Sequence, residues 1–346
     1  MKQLGTLDST VDFFKRERHI TRLIIMILVW LAFLAITRFD RFYSVLNFQT
    51  MAAQFPEYGL MALGILLCMI TGGIDLSLVG IANLTGILMA YLLLALTGDS
   101  GYLPFYAIPL VIVLGIAVGS VLGFFNSVLI TRFKIPAILA TLGAGELFRG
   151  ISMAMTGGSA VSRFSADYAT TMNSRVLGGL VPVQTIIFAI GVFLVWVLLS
   201  RTTFGPKLYM LGTNPVAARF SGLNTRALLT KTYVLSGMFA GVAGIVMLGN
   251  YNSARADYGA VYTLQSIMIV ILGGANPYGG KGRLSGVVLA VILVQLLQTG
   301  IRRFPAINSF FIFLLWGSAL LLVMVLNVYA NSDRQVRKKM RLQNNL

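Results

Sequence analysis

The chain contains very little of the chemistry on which disulfides, metal clusters or acid–base catalysis depend. Its 346 residues include one cysteine, one histidine and 11 acidic residues, against 27 lysines and arginines. The single cysteine, Cys68, lies inside an apolar run, which excludes a disulfide framework. The single histidine, His19, lies near the N-terminus, and one histidine cannot form a histidine metal cluster.

Motifs for ATP hydrolysis and covalent catalysis are also missing from the sequence. Gly279-Gly280-Lys281-Gly282 resembles a phosphate-binding loop only superficially, because no serine or threonine follows the lysine to meet magnesium. No nucleophile–base–orienter set and no series of intramembrane carboxylates and histidines is present. We therefore expect a chain that is not an enzyme, has no catalytic residues, and binds no cofactor or metal of its own.

Apolar residues, in contrast, are abundant. They make up 57% of the sequence, charged residues make up 11%, and the mean hydropathy is +0.83. This composition predicts an all-α, polytopic membrane helix bundle. The net charge of +16 does not indicate nucleic-acid binding, because the basic residues lie at the ends of apolar spans and are not interleaved with aromatic residues.

The apolar runs predict about ten transmembrane helices when roughly 20 apolar residues are required for each. The expected spans are residues 22–37, 49–71, 76–97, 104–131, 135–155, 182–200, 227–250, 257–273, 284–301 and 308–330. The short run 257–273 and the broken run 49–71 are the weakest, so a bundle of eight spans is the alternative. The first run lacks a small-residue cleavage site, and we expect it to remain as a span.

Basic residues are distributed unequally between the two sides of this bundle. With both termini in the cytoplasm, 19 lysines and arginines fall in inner segments and 8 in outer segments, as the positive-inside rule requires. The chain then divides into a cytoplasmic N-terminal tail (1–21), one transmembrane domain (22–330) and a basic cytoplasmic C-terminal tail (331–346), which suits acidic lipid headgroups. The outer, periplasmic stretch 156–181 could hold a small surface helix where a soluble partner lands.

The inner loop 201–228 is the most basic loop between two spans, and it contains the signals of a short helix. Asn214 is a favourable N-cap, Pro215 suits the first helical position, and Gly222 suits the position just after the last turn. We interpret this basic helix as a docking surface on which another protein pushes. The predicted docking residues are Gly212, Asn214, Pro215, Val216, Ala217, Ala218, Arg219, Phe220 and Gly222.

Glycines recur every fourth residue in two of the predicted spans. They are Gly115, Gly119 and Gly123 in one span, and Gly237 and Gly241 in another. Small residues at this spacing let helix backbones approach closely in lipid. The pattern favours plain helix packing, and a moving seam that forms a gate is the alternative.

Double glycines interrupt an apolar segment in each half of the chain. Gly72-Gly73 ends the second span and Gly273-Gly274 ends the eighth. Paired interruptions are typical of a substrate path between two repeats, where unwound backbone lines the path. The alternative is two ordinary turns, with Asp75 as the N-cap of the following helix.

Polar residues inside the spans are the remaining candidates for a solute pathway. Glu146 lies about 16 Å into the fifth span, where a charge costs about 2.5–3.5 kcal/mol. It could line the pathway, or Arg149 could neutralise it. Amides and hydroxyls suit an uncharged, polyhydroxylated ligand, although each alone could form a helix–helix hydrogen bond. The candidate pathway residues are Gly72, Gly73, Asp75, Asn83, Asn126, Glu146, Thr263, Gln265, Gly273, Gly274 and Gln295.

Four motifs occur in order between about residue 50 and residue 328. They are Gly72-Gly73-Ile74-Asp75-Leu76-Ser77; Lys134-Ile135-Pro136-Ala137 with Thr141-Leu142-Gly143 and Arg149-Gly150; Thr203-Phe204-Gly205 followed by 212–222; and the glycine cluster at 273–286. At this spacing the chain resembles the permease subunits of ribose-type ABC sugar importers, the group that also moves xylose, galactose and the autoinducer-2 signal.

The resemblance implies a type II ABC importer-like permease in the bacterial inner (cytoplasmic) membrane, paired with a second copy or a homologous permease. Cytoplasmic ABC ATPase subunits would bind ATP and Mg²⁺, and an external, periplasmic binding protein would deliver the sugar. The loop helix between the sixth and seventh spans is the coupling element of such permeases, which here is 214–222. Membrane lipid is a further expected partner, and nucleic acid is not.

These observations predict a permease that translocates a small uncharged sugar or sugar-like solute. The alternative function is a stand-alone secondary carrier or facilitative channel for a small polar solute, which would transport without ATPase subunits. A membrane scaffold without transport would leave the paired glycine interruptions unexplained.

Overall fold

The computed structural model of the chain describes residues 18–98 and 102–304, together with positions 314, 317, 318 and 321. These residues form twelve helices and one short hairpin, which confirms the expected all-α membrane bundle. The helices are α1 (Arg18–Phe42), α2 (Val45–Ile70), α3 (Leu78–Thr97), α4 (Ala107–Thr131), α5 (Ala137–Thr156), α6 (Ala166–Met172), α7 (Val183–Ser200), α8 (Phe204–Thr213), α9 (Pro215–Phe220), α10 (Thr225–Tyr251), α11 (Tyr262–Leu272) and α12 (Leu284–Ile301). In the hairpin, β1 (Arg175–Val176) pairs antiparallel with β2 (Val181–Pro182).

Eight of the described helices are long and apolar enough to cross a membrane, and each coincides with a predicted span. They are α1 to α5, α7, α10 and α12. The predicted span at 257–273 is instead the 11-residue helix α11, which is about 16 Å long and too short to cross alone. The last predicted span, 308–330, lies outside the described residues apart from four positions, as do residues 1–17 and the C-terminal tail 331–346.

The connecting segments gather at two ends of the bundle. At one end the Gly280 amide donates to the Ile70 carbonyl over 2.9 Å; we call it the loop end, because it carries residues 201–224. At the other end Gln49 donates to the carbonyl of Gly179 in the β-hairpin over 2.9 Å, and we call it the hairpin end. The spanning helices connect these two ends.

Helices α2 and α10 form the centre of the bundle. The most apolar stretch of α2 is 83% buried and that of α10 is 78% buried, whereas the corresponding stretch of α1 is 11% buried. A helix that is apolar on every face is best placed among other helices. The outer helices α4, α5 and α7 keep exposed apolar side chains, as expected for surfaces that meet lipid or another membrane chain.

The two glycine rows face each other where α4 crosses α10. A Cβ atom added at Gly119 would overlap the Gly237 carbonyl oxygen and lie 2.8 Å from the Cα atom of Gly241. A Cβ atom at Gly241 would lie 2.5 Å from the Gly115 carbonyl oxygen. The backbones touch with no room for a side chain, so the close helix packing predicted from these glycines is confirmed, and the moving seam stays a prediction.

The stretch 156–181 contains the predicted small helix, which is α6. Tyr168 and Met172 of this helix are buried, and the Tyr168 hydroxyl donates to the Ile245 carbonyl of α10 over 3.0 Å. Burial raises the pKa of the Tyr168 hydroxyl, which keeps it protonated as a donor. Helix α6 is therefore fixed against the centre of the bundle, and the β-hairpin that follows it was not expected from the sequence.

Candidate functional site

Helix α9 is built by capping signals within a few residues of the sequence. The side-chain oxygen of Asn214 accepts hydrogen bonds from the amides of Val216 and Ala217, at 3.1 and 3.0 Å. After the helix, Gly222 has a φ of +79°, a left-handed conformation that glycine adopts at little cost. The helix predicted at this loop is therefore present, as Pro215–Phe220.

The outward face of α9 combines apolar and basic side chains. Val216 is 64% exposed and Phe220 is 88% exposed, and Arg219 is exposed beside them. Ala218, in contrast, is buried and lies on the opposite side of the helix, which faces the bundle. A large aromatic side chain with this exposure, rimmed by a cation, has the composition of a protein-interaction surface.

At the end of α8, just before α9, three glycine-containing segments meet in a contact that we call the glycine junction, formed by Gly72, Gly212, Gly279 and Gly280. A Cβ atom added at Gly212 would overlap the Ile70 carbonyl oxygen and lie 2.5 Å from the Gly280 amide nitrogen. A Cβ atom at Gly279 would lie 2.7 Å from the Gly212 carbonyl oxygen and 2.9 Å from the Cα atom of Gly72. The last turn of α8, which leads into α9, thus rests on the end of α2 and on the turn at residues 279–280.

Tyr209 fastens α8 to the same junction. Its hydroxyl donates to the Gly282 carbonyl over 2.7 Å, and burial raises the pKa of this tyrosine. The run Gly279-Gly280-Lys281-Gly282 therefore uses its backbone to pack against α8 and the end of α2.

Replacing Asn214 by alanine is expected to loosen α9, because the change removes the acceptor of two amide hydrogen bonds. The loss of an N-cap costs about 1 kcal/mol, so hydrogen exchange at Val216 and Ala217 should accelerate about fivefold. Asn224→Ala is the matched control, since Asn224 caps α10 through the Ala227 amide and should leave exchange in α9 unchanged. Unaltered exchange in Asn214→Ala would show that the cap does not stabilise α9.

The interruption after α2 is held by a buried hydrogen-bond cluster around Asp75. Its Oδ1 accepts from the amide and hydroxyl of Ser77 at 3.0 and 2.6 Å, and its Oδ2 accepts from the hydroxyl of Ser236 at 2.8 Å. Asn126 donates to the Ser77 hydroxyl over 2.7 Å. Burial raises the pKa of the Asp75 carboxyl, and the bonds from Ser77 and Ser236 oppose that rise.

Asp75 is not the N-cap of the following helix, so this interpretation is wrong. The N-cap of α3 is Ser77, and Asp75 instead joins the α2–α3 turn to Ser236 of α10. The fold therefore uses this carboxylate for a contact between segments that are distant in the sequence. A role in solute passage stays a prediction for the residues at this end, which are Gly72, Gly73, Asp75, Asn126, Gly273 and Gly274.

A polar cavity of about 430 Å³ lies at the hairpin end, between α2, α10, α11 and α12. Glu57 of α2 lines it and is only 2% exposed. The carboxylate oxygens of Glu57 accept hydrogen bonds from Asn250, Tyr251 and Tyr262, at 2.6, 2.8 and 2.7 Å. The volume falls within the range of roughly 300–1,000 Å³ that is usual for small-molecule pockets.

Amide side chains form the α12 side of this cavity. Gln295 accepts a hydrogen bond from Tyr58 over 2.5 Å and donates to Gln54 over 3.2 Å. Gln265, which is buried, donates to the Oε1 atom of Gln298 over 3.4 Å. Of the residues predicted from the sequence, Gln295 lines the cavity, and Gln265 lies behind the lining, bonded to Gln298.

Two other predicted residues lie away from the cavity. Asn83 is buried and donates to the carbonyls of Ala256 and Tyr258, at 3.0 and 2.9 Å, so it connects α3 to the segment before α11. Thr263 is half-buried in the first turn of α11 and is not among the residues that line the cavity.

Glu146 faces outward from the bundle. Both Glu146 and Arg149 are exposed on α5, and the salt bridge found within residues 18–98 and 102–304 joins Arg255 to Asp257 at 2.9 Å. The expected pairing of Glu146 with Arg149 is therefore not formed in this part of the chain. Glu146 does not reach the polar cavity, and its role in a pathway stays a prediction.

Glu57 is a buried acidic residue that the sequence patterns above do not single out. A signal was present, because an ionisable residue inside an apolar span is a functional-site candidate by default, and Glu57 follows Pro56 within the predicted span 49–71. Its three hydrogen-bond donors come from residues 193 to 205 positions away. Only the fold reveals that they converge.

Comparisons with known proteins agree over most of the chain. The family described as branched-chain amino acid transport system / permease component matches residues 47–328. The ribose import permease protein RbsC of Bacillus subtilis is 32% identical over 286 residues, which cover 83% of this chain and 86% of the relative. The autoinducer 2 import system permease protein LsrD of Yersinia enterocolitica is 33% identical over 288 residues, which cover 82% of this chain and 83% of the relative. The LsrD protein of Escherichia coli K12 is 31% identical over 302 residues, which cover 86% of this chain and 87% of the relative. No solved structure matches the chain significantly.

Proposed function

Because the chain belongs to the branched-chain amino acid transport system / permease component family, and is similar to import permeases for ribose and autoinducer 2, we propose that it carries a small uncharged sugar or sugar-like solute into the cell. It is a multi-pass membrane permease of the ABC importer class. The alternative of a stand-alone carrier or channel gains no support, since the similar proteins are permease components of import systems.

The proposed partners occupy both ends of the bundle in the bacterial inner membrane. At the loop end, cytoplasmic ABC ATPase subunits dock on α9 and themselves bind ATP and Mg²⁺. At the hairpin end, a periplasmic binding protein delivers the solute. A second copy of this chain, or a homologous permease, completes the membrane unit, and lipid headgroups meet the basic tail 331–346. The chain itself supplies no catalytic residue and binds no cofactor.

This orientation places the loop end and both termini in the cytoplasm. Its support is the distribution of charge, since residues 201–231 carry five basic residues and no acidic residue. Segments of this composition between spans remain on the cytoplasmic side.

The observation that carries the coupling role is the exposed face of α9 above the glycine junction. Val216 and Phe220 offer an apolar contact to a partner, and Gly212 lies directly against the Ile70 carbonyl and Gly280. Closure of the ATPase pair would move α9, and the junction would pass that movement to the ends of α2 and of the segment before α12. The inner ends of these helices would then shift as nearly rigid bodies.

Replacing Arg219 by glutamate is expected to lower ATP-driven uptake at least tenfold and to leave the permease in the membrane. Arg219 is exposed, so the fold does not depend on it, whereas a reversed charge at the rim of a contact opposes docking by about 1.5–3 kcal/mol, which is tenfold or more. The measurement is solute uptake into proteoliposomes that contain the permease, its ATPase subunits and its binding protein. Copurification of the ATPase subunits gives a second reading.

Arg226→Glu is the matched control, because it makes the same charge change in the first turn of α10. It should retain most of the uptake. Normal uptake by Arg219→Glu, or an equal loss in Arg226→Glu, would contradict the assignment of α9 as the coupling element. Uptake by the permease alone, without ATPase subunits, would contradict the ATP-driven class.

A further inference from the structure

We infer that the cavity around Glu57 is a binding site, within a single permease chain, for one neutral, hydroxyl-rich molecule of monosaccharide size. The class of ligand rests on the proposed function, and the inference adds the place in the chain where that ligand is held. The site lies at the hairpin end, opposite α9, and is lined by Glu57, Tyr58, Gln295, Gln298 and Arg302, among others.

The charges of the cavity favour a neutral ligand. Glu57 is the acidic group of the lining and Arg302 is its cationic counterpart. The Glu57 carboxylate would repel an anionic ligand, and the Arg302 guanidinium would repel a cationic ligand. In a partly desolvated site either encounter costs several kilocalories per mole, which a neutral ligand avoids.

The hydrogen-bonding groups of the lining suit hydroxyls. A carboxylate offers about four acceptor positions on its two oxygens. Protein donors occupy three of these positions on Glu57. One acceptor position is therefore left for a ligand hydroxyl. Gln298 accepts from Gln265 through Oε1, and its Nε2 group has no partner among the described residues. Glu57 can thus accept from a hydroxyl while Gln298 donates to one, and a hydroxyl satisfies both.

The carboxylate is held in place before any ligand arrives. The hydroxyls of Tyr251 and Tyr262 both reach Oε2 of Glu57 and lie 3.1 Å from each other. Asn250 holds Oε1 and also donates to the Ala53 carbonyl over 3.2 Å. A group fixed by several partners loses little conformational freedom on binding, which is how preorganised sites gain affinity.

The cavity does not extend along α2 beyond Tyr58, which is the α2 residue of its lining nearest the loop end. Tyr58 is bonded to Gln295, and every residue of α2 from Gly59 to Ile70 is buried. A ligand that enters from the hairpin end therefore stops near Tyr58. This geometry describes a holding site on the delivery side of the permease, and not a channel through the chain.

Protection of a cysteine at the cavity tests the inference. Thr50 lines the cavity and is exposed, and its hydroxyl bonds only to the backbone of its own helix, so Thr50→Cys should preserve the fold. The native Cys68 is fully buried and leaves a low background. Maleimide labelling of purified, detergent-solubilised Thr50→Cys is followed with and without D-ribose, D-xylose or D-galactose. At least one of these sugars should slow labelling about tenfold when present at about ten times its Kd.

Four controls make the outcomes of this experiment interpretable. Phe105→Cys, at an exposed position outside the lining, should be labelled at the same rate with and without sugar. Glu57→Gln in the Thr50→Cys chain should keep the labelling rate without sugar and lose most of the protection, and Gln298→Ala should weaken it. D-ribose 5-phosphate, an anion, should protect least.

The inference is overturned if none of the three neutral sugars slows labelling of Thr50→Cys, if Phe105→Cys is protected equally, or if ribose 5-phosphate protects better than the sugars. It is also overturned if Glu57→Gln, folded and labelled normally, keeps full protection. Failure of the proposed function appears separately, as uptake without ATPase subunits, because the labelling experiment involves neither ATP nor transport.

Discussion

Gly119→Val is expected to prevent the bundle from assembling. A Cβ atom at this position would overlap the Gly237 carbonyl and lie 2.8 Å from the Cα atom of Gly241, and backbone cannot move aside as a side chain would. Overpacking of an interior costs about 3 kcal/mol or more when it displaces backbone, which lowers the ratio of folded to unfolded protein on the order of a hundredfold. Fluorescence-detected size-exclusion chromatography of the tagged permease should show loss of the monodisperse peak.

Gly143→Val is the matched control, because Gly143 is also a glycine in a spanning helix. A Cβ atom at Gly143 would meet nothing within 4 Å, and the variant should elute and melt as the unmodified permease does. If Gly119→Val gave the same melting temperature as Gly143→Val, the close contact between α4 and α10 would not be a determinant of folding.

Gly212→Val is expected to abolish ATP-driven uptake while the permease remains inserted. The added side chain would overlap the Ile70 carbonyl and come 2.5 Å from the Gly280 amide, so the hydrogen bond between Gly280 and Ile70 must break and the last turn of α8, which leads into α9, must move. The clash is confined to the last residue of α2 and to the turn at 279–280, where the chain can shift at the loop end, whereas Gly119 lies in the middle of a helix crossing; the contacts between α2 and α10 are therefore expected to persist. Uptake in proteoliposomes should fall at least tenfold, which corresponds to about 1.4 kcal/mol of lost coupling.

Met210→Val tests whether the effect is specific to the junction. Met210 lies two residues earlier on α8 and is 48% exposed, so its replacement changes side-chain volume without touching Ile70 or Gly280. It should retain uptake. A Gly212→Val permease that transports at the normal rate would show that force does not pass through this contact.

Helix α9 could be predicted because its signals are local. Asn214, Pro215 and Gly222 lie within nine positions of one another, and a cap acts on amides two or three residues away. The positions of the spans were predictable for a similar reason, since each follows from about 20 consecutive residues. The exception is α11, where an apolar run of the expected kind ends after 11 helical residues.

Contacts between distant segments could not be predicted. Glycine spacing indicated two packing rows, but only the fold shows that Gly119 meets Gly237. Asp75 carried the local signature of an N-cap, yet Ser236, 161 residues away, takes one of its oxygens. Glu57 lacked any neighbouring partner in the sequence, because Tyr251 and Tyr262 reach it from 194 and 205 residues away.

The solid packing of α2 from Gly59 to Ile70 has a genetic consequence. If no solute can cross the membrane along this helix, the solute passes between this chain and a neighbouring permease. The two subunits then share one passage. If that neighbour is a second copy of this chain, a cell that makes both intact and Gly212→Val chains would transport only through pairs with two intact members. Such an allele should behave as dominant-negative, with uptake falling below the fraction of intact chains.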